Sequence, residues 1–227
     1  MSRNAHQPTE PEAPTPVGAH GRAPLPDGWR WAGLRDLILE AQPGFACGQR
    51  DPQGVIQLRM NNVDTRGNLV WDEFLRVPAD EQTISKYRLV PGDVMFNNTN
   101  STELVGKSAL FPGHEEPVVY SNHFTRLRVD PTRLEAAYLA LWLRLQWQSR
   151  TFENLCNRWI GQSAVKSDKL LALQIPLAPL PEQKRIAAIL NDQMAAVERA
   201  RKSLEDKLDT INKLPSSLLR RAFSGNI

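Results

Sequence analysis

Residues 181–214 read PEQKRIAAILNDQMAAVERARKSLEDKLDTINKL, and this stretch decides how the chain is organised. From Glu182 to Leu214 there is no Gly or Pro, and Ala, Leu, Glu, Lys and Arg dominate; these residues lose little on entering a helix. Leu190, Val197, Leu204 and Ile211 recur every seven positions, Met194 and Leu208 fill the complementary seam, and Arg201 interrupts it. A seven-residue apolar period belongs to a helix that packs along another helix. The spacing therefore predicts a long C-terminal coiled-coil helix whose dimerisation face is Leu190, Met194, Val197, Leu204, Leu208 and Ile211. About 28 residues at 1.5 Å each make an arm of roughly 42 Å. The alternative is a long helix folded back on its own domain. Pro215 is expected to end or kink the helix, Leu218-Leu219 to add a last turn, and Ser224-Gly225-Asn226 to stop it.

Upstream, Pro176, Pro179 and Pro181 mark a change of pattern. Between Val55 and about Val129 the chain is a succession of short apolar runs separated by turn residues. Val55–Leu58, Leu89–Phe96, Ser108–Phe111, Pro117–Tyr120 and Phe124–Val129 all read as strands of a curled, mostly antiparallel sheet. Leu34 to Leu39 reads as one or two helical turns. Leu134, Tyr138, Leu141, Trp142 and Leu145 then fall at helical spacing over 134–148, an amphipathic helix whose aromatics fit core packing. Order is expected to begin at Leu25, where Pro26-Asp27-Gly28 forms a turn leading to Trp29 and Trp31. Residues 1–24, with five prolines and hardly a large apolar side chain, read as a disordered leader. The fold class is α+β: a sheet-rich domain over 25–180, followed by the long helix over 181–227.

Composition narrows the function. At 41% hydrophobic and 23% charged, the chain can form one core plus a helical arm. Its longest apolar run, Ala136 to Leu143, is far too short to span a bilayer. The polar N-terminus lacks a secretory pattern, and Cys47 and Cys156 have no partners at metal-ligand spacing, so a cytoplasmic protein with reduced cysteines is expected. The net charge of +3 arises entirely from residues 181–227, while 27–180 balance 17 basic against 17 acidic side chains. A diffuse polyanion binder would carry a basic block. Thirteen of those 17 basic residues are Arg, however, which suits bidentate recognition.

Catalytic patterns are missing. Leu104-Val105-Gly106-Lys107-Ser108 resembles the end of a phosphate-binding loop, but the Gly required five residues earlier is Ser101. There is no G-x-S-x-G and no carboxylate pair at metal-like or glycosidase-like spacing. Polar side chains cluster instead where strands should end: Arg59, Asn61 and Asn62; Asn97, Asn98, Thr99, Asn100 and Ser101; and Gln162, Ser163 and Lys166, with Lys107 between. Asn and Gln amides match adenine, Arg matches guanine, and Ser or Thr suits base or phosphate. These twelve residues are the candidate DNA contacts. Asn-rich stretches also form turns by bonding their own backbone, and that reading stays open.

Together the segments resemble a specificity subunit of type I restriction–modification systems. The resemblance runs from Leu25-Pro-Asp-Gly-Trp-Arg-Trp through Leu58-Arg-Met-Asn-Asn-Val. It continues in Leu89-Val-Pro-Gly-Asp-Val-Met-Phe-Asn-Asn-Thr-Asn-Ser and Leu104-Val-Gly-Lys-Ser, then in Ile175-Pro-Leu-Ala-Pro-Leu-Pro-Glu-Gln-Lys-Arg-Ile and the closing Ala222-Phe-Ser-Gly. It implies a target recognition domain that reads one half of a bipartite double-stranded DNA sequence, and a helix that docks methyltransferase subunits and, through them, restriction subunits. No cofactor is implied for this chain; S-adenosylmethionine, ATP and Mg2+ belong by resemblance to the partner subunits, as do methylation and cleavage. Family members usually carry two recognition domains and two helices, whereas this sequence has one of each. That implies a half-subunit pairing with a second copy, a half needing a different half, or a fragment. A two-fold pair would set antiparallel helices between inverted half-sites, with about one DNA turn between them for an arm of roughly 35–45 Å. The rival reading is a coiled-coil adaptor that competes with a full-length specificity subunit and reads no DNA.

Overall fold

The computed structural model describes residues 24–224, so the expected leader lies outside the described residues but for Pro24. The chain divides into two compact units, the first ending at Gln183 and the second beginning at Lys184.

In the first unit the Pro26–Trp29 turn forms as read: the Trp29 amide donates to Pro26 O at 3.1 Å, and Gly28 takes a φ of 80°. Strand β1 (Arg30–Gly33) follows, then a short 3-10 turn over Leu34–Asp36 and β2 (Ile38–Pro43). The expected helical turns over 34–39 shrink to three residues because Leu37 ends the turn and Ile38 to Pro43 pair with a later strand. Next come β3 (Val55–Leu58), β4 (Leu75–Val77), helix α1 (Glu81–Tyr87), β5 (Val94–Asn97), β6 (Thr99–Asn100), β7 (Ser108–Leu110), β8 (Val118–Tyr120) and β9 (Phe124–Val129). Helices α2 (Ala136–Gln148) and α3 (Thr151–Leu155), the hairpin β10 (Asn157–Trp159) and β11 (Gln162–Ala164), α4 (Ser167–Leu171) and β12 (Gln174–Leu177) complete the unit.

The strands form four small sheets rather than one curled sheet: β2-β9-β5-β7, β4-β3-β8, β10-β11-β6 and β1-β12. All pairings are antiparallel except β3 with β8. Runs of two to six residues, broken by Gly and Pro, are too short to continue as one ladder. The expected strand at Leu89 starts only at Val94, because Pro91-Gly92 turn the chain first. The core joins Ile56, Leu58, Val63, Met95, Phe111, Tyr120 and Phe124. Within the β2-β9-β5 layer, the buried Arg126 guanidinium donates to Glu40 Oε1 at 2.8 Å, Gln42 Oε1 at 2.6 Å and Arg88 O at 2.9 Å. On α2, Tyr138 and Trp142 are buried as expected, but Leu145 is exposed.

Helix α5 runs from Leu180 to Phe223 without a break, 44 residues including Pro215. Of the two outcomes expected at Pro215, an end is thus not realised, and the arm is longer than read from the period, about 66 Å. Pro215 removes only its own bond to the Ile211 carbonyl, an exposed group that water can satisfy. Leu218 then continues the period of Leu190, Val197, Leu204 and Ile211. These residues are exposed, Leu204 to 65% and Ile211 to 58%, while Met194 is half-buried. Arg201 pairs within the helix with Glu198 and Glu205, both at 3.1 Å.

Candidate nucleic-acid interface

Strand β5 ends at Asn97, and the chain then turns on its own amides. The buried Asn97 side chain donates to Thr99 O at 3.1 Å and His123 O at 2.9 Å, and accepts from Asn100 Nδ2 at 2.7 Å. Asn98 Nδ2 reaches Thr125 Oγ1 at 2.9 Å while its Oδ1 accepts from Thr99 Oγ1 at 2.7 Å; Asn100 Oδ1 accepts from the Ser101 amide at 2.8 Å. The turn-forming role of Asn-rich sequence is thus realised in full. Asn98, Thr99, Asn100 and Ser101 remain half-exposed around the fully buried Asn97.

The same arrangement recurs at the end of β3. Buried Asn62 accepts from the Arg59 amide at 2.9 Å and donates to Val70 O at 3.0 Å and Glu73 O at 2.7 Å. Its neighbour Asn61 is exposed and Arg59 half-buried. Lys107 is buried beneath this loop, its Nζ donating to Val63 O and, at 3.4 Å, to Met60 O. Burial pushes its ammonium below the usual lysine value, with Asp64 partly opposing. The lysine of the Gly106-Lys107-Ser108 motif is therefore a clamp on the Arg59–Val63 loop.

The hairpin of β10 and β11 completes the group. Strand β11 pairs with β6, Ser163 opposite Asn100 and Ala164 opposite Thr99, and the Val165 amide donates to Asn98 O at 2.9 Å. Ser163 is buried and its hydroxyl is hydrogen-bonded to that of Thr102 at 2.8 Å; Gln162 and Lys166 are exposed. The eight candidates from Asn97 to Ser101 and from Gln162 to Lys166 are therefore brought together in one small sheet and its loops. His123, whose backbone carbonyl accepts from Asn97, lies near enough to Arg59 for that charge to disfavour its protonated ring. Of the twelve candidates, Asn62, Asn97, Lys107 and Ser163 are buried and hold the loops; Asn61, Gln162 and Lys166 are exposed. The twelve candidates leave out His123, which gives no spacing signal, and the exposed Trp159 and Ile160, which precede Gly161 and Gln162 at the hairpin turn. No cluster of three or more potential metal ligands is present among the described residues.

Burial first, and the Arg59 charge second, push the His123 imidazole below its ordinary value of 6.5. The folded chain thus favours the neutral ring. As pH falls from the unfolded value through the lowered folded one, the unfolded chain binds more protons and stability declines. Between about pH 7.5 and pH 5.5 the urea midpoint of the wild type is expected to fall further than that of His123→Gln; equal falls would refute this assignment.

A sequence model of the type I restriction modification DNA specificity domain matches residues 63–206, well over half of the 227 residues. The chain belongs to this family. A Methanocaldococcus jannaschii protein assigned as the type I restriction enzyme MjaX specificity subunit is 28% identical over 205 residues, covering 89% of this chain and 47% of its own length. The StySPI specificity subunit of Salmonella potsdam is 24% identical over 203 residues, 88% of this chain and 43% of that protein. The chain thus spans about half the length of the curated relatives it matches. Two solved structures share its fold. A chain of a type I R-M system assembly superposes with a TM-score of 0.65 at 22% identity, covering 93% of this chain and 50% of that one. The HsdS subunit from Thermoanaerobacter tengcongensis gives 0.59 at 24% identity, covering 89% and 50%. No helix among the described residues is long and apolar enough to cross a membrane.

Proposed function

We propose that this specificity-domain chain is a non-catalytic DNA reader of a cytoplasmic type I restriction–modification complex. It reads one half of a bipartite target and pairs, through α5, with a second copy or a different half. The observation that carries this reading is that the family match over 63–206 includes the β6-β10-β11 sheet, where solvent-facing amide, hydroxyl and ammonium groups converge. Base and phosphate contacts fall to Arg59, Asn61, Asn98, Thr99, Asn100, Ser101, Gln162 and Lys166; Asn62, Asn97, Lys107 and Ser163 hold those loops in place. The exposed period on α5 supports helix pairing, and the helix docks methyltransferase subunits, which bring S-adenosylmethionine. Restriction subunits, with ATP and Mg2+, join indirectly.

Co-expression with a methyltransferase subunit, followed by mapping of modified adenines across the host genome, tests the proposal. A two-part inverted motif supports paired copies, and an asymmetric motif supports a different second half. Absence of any motif, together with a gel shift that has no sequence preference at any salt concentration, refutes DNA reading and favours the adaptor.

A further inference from the structure

The tip of the β10-β11 hairpin holds two large apolar side chains in open solvent. Trp159 is 60% exposed and Ile160 completely so, while a Cβ built on Gly161 would meet nothing within 4 Å. Gly161, at φ 78°, closes the turn. Trp159 stands opposite Gln162, so both leave the ribbon on one face; Arg158 stands opposite Ser163, which is buried on the other. Between Asn157 and Lys166 the only charges are the exposed cations Arg158 and Lys166. Isolated exposed apolar residues need no explanation. Here, however, they sit at a turn beside an amide, and the cations Arg158 and Lys166 of the same segment suit a polyanion better than an apolar protein groove, with the Glu103 carboxylate near Arg158 as an opposing charge.

A two-stranded ribbon, with strands about 4.8 Å apart, enters the roughly 12 Å major groove of B-form DNA. There an A·T pair presents adenine N6 and N7, which match a glutamine amide, and the thymine methyl, which matches an apolar side chain. Adjacent residues of this hairpin supply both. Resting on the DNA-reading role proposed above, we infer that the hairpin reads an A·T pair in the major groove, Gln162 bonding the adenine and Trp159 with Ile160 packing on the thymine methyl.

The test uses the full chain, alone and with its co-expressed methyltransferase subunit, to enrich a duplex from a random-sequence library. The enriched duplex is then remade with deoxyuridine replacing each thymine, or 7-deazaadenine replacing each adenine. At one position, loss of the methyl is expected to weaken wild-type binding about 4-fold, with no effect on a Trp159→Ala, Ile160→Ala double variant. Loss of adenine N7 at the paired base is expected to weaken the wild type but not Gln162→Ala. Because both tip side chains lie in solvent, the double variant should keep its thermal midpoint, and Trp159→Phe should keep the methyl penalty. Uridine penalties equal in wild type and variant, or absent throughout, overturn the inference. Wild-type affinity in the double variant combined with lost capture of the methyltransferase subunit assigns the tip to protein docking and overturns this inference alone. Enrichment of no duplex overturns the DNA-reading proposal, and this one with it.

Discussion

Chains carrying Leu204→Asp together with Ile211→Asp are expected to sediment as monomers where the wild-type chain, on the proposed helix pairing, is expected to sediment as a pair. Both positions lie on the seven-residue period of α5, and both are more than half exposed in the single chain. Folding of that chain therefore gains little from them, while helix pairing would bury them. Burying one such side chain contributes about 1.5–3 kcal/mol, so four across a two-fold pair contribute roughly 6–12 kcal/mol. The lower figure alone corresponds to about a 10⁴-fold loss of affinity. Unpaired carboxylates in the seam would add to the loss. Sedimentation measures the outcome directly, and the far-ultraviolet spectrum checks that the helix persists. A wild-type chain that stays monomeric with every possible mate, or a variant that pairs as well as the wild type, would refute helix pairing.

Gly106→Ala is expected to destabilise the first unit by about 2–5 kcal/mol, read as a fall in the urea midpoint. Two costs combine. Gly106 has a φ of 93°, a conformation in which an L side chain costs about 1–2 kcal/mol. An added Cβ would also lie 2.2 Å from Phe152 Cδ2 and 2.7 Å from its Cβ. Because the clash reaches the Cβ, no rotation of the ring relieves it, and α3 itself must move. Phe152 is fully buried against Phe96, ring centroids 5.0 Å apart, so the displacement enters the core and adds about 1–3 kcal/mol. Residue 106 also donates its amide to Asn97 O at 2.8 Å, and sequence-dependent DNA binding is expected to weaken with the fold. A variant as stable as the wild type would show that α3 yields easily.

The parts of the fold legible in the sequence are those where one physical rule acts alone. The period of α5 and the alternation in Phe124–Val129 each have a single cause. Helix α1 is not legible because seven residues carry too little periodicity, although Asp80 caps it by accepting from the Thr83 amide at 2.7 Å. Strand β2 is hidden because its pairing with β9 depends on residues nearly ninety positions away. The helix beyond Pro215 escapes a reading that weighs proline's local penalty without the good helix formers Leu218, Leu219, Arg220 and Arg221 that follow it. For the site, composition locates the loops but does not separate the amide that points inward from the one that points out. Asn61 and Asn62 are the same residue type in adjacent positions, and the Arg59 amide with the carbonyls of Val70 and Glu73 distinguishes them.

That adjacency has an evolutionary corollary. At Asn61-Asn62 and again at Gln162-Ser163, an outward side chain stands next to an inward one that braces the loop. Substituting the outward member leaves the bracing bonds untouched, so such positions can change at little cost to the scaffold. Under the DNA-reading role proposed above, a lineage built this way would acquire new addresses on the genome by single codon changes, without passing through unstable intermediates.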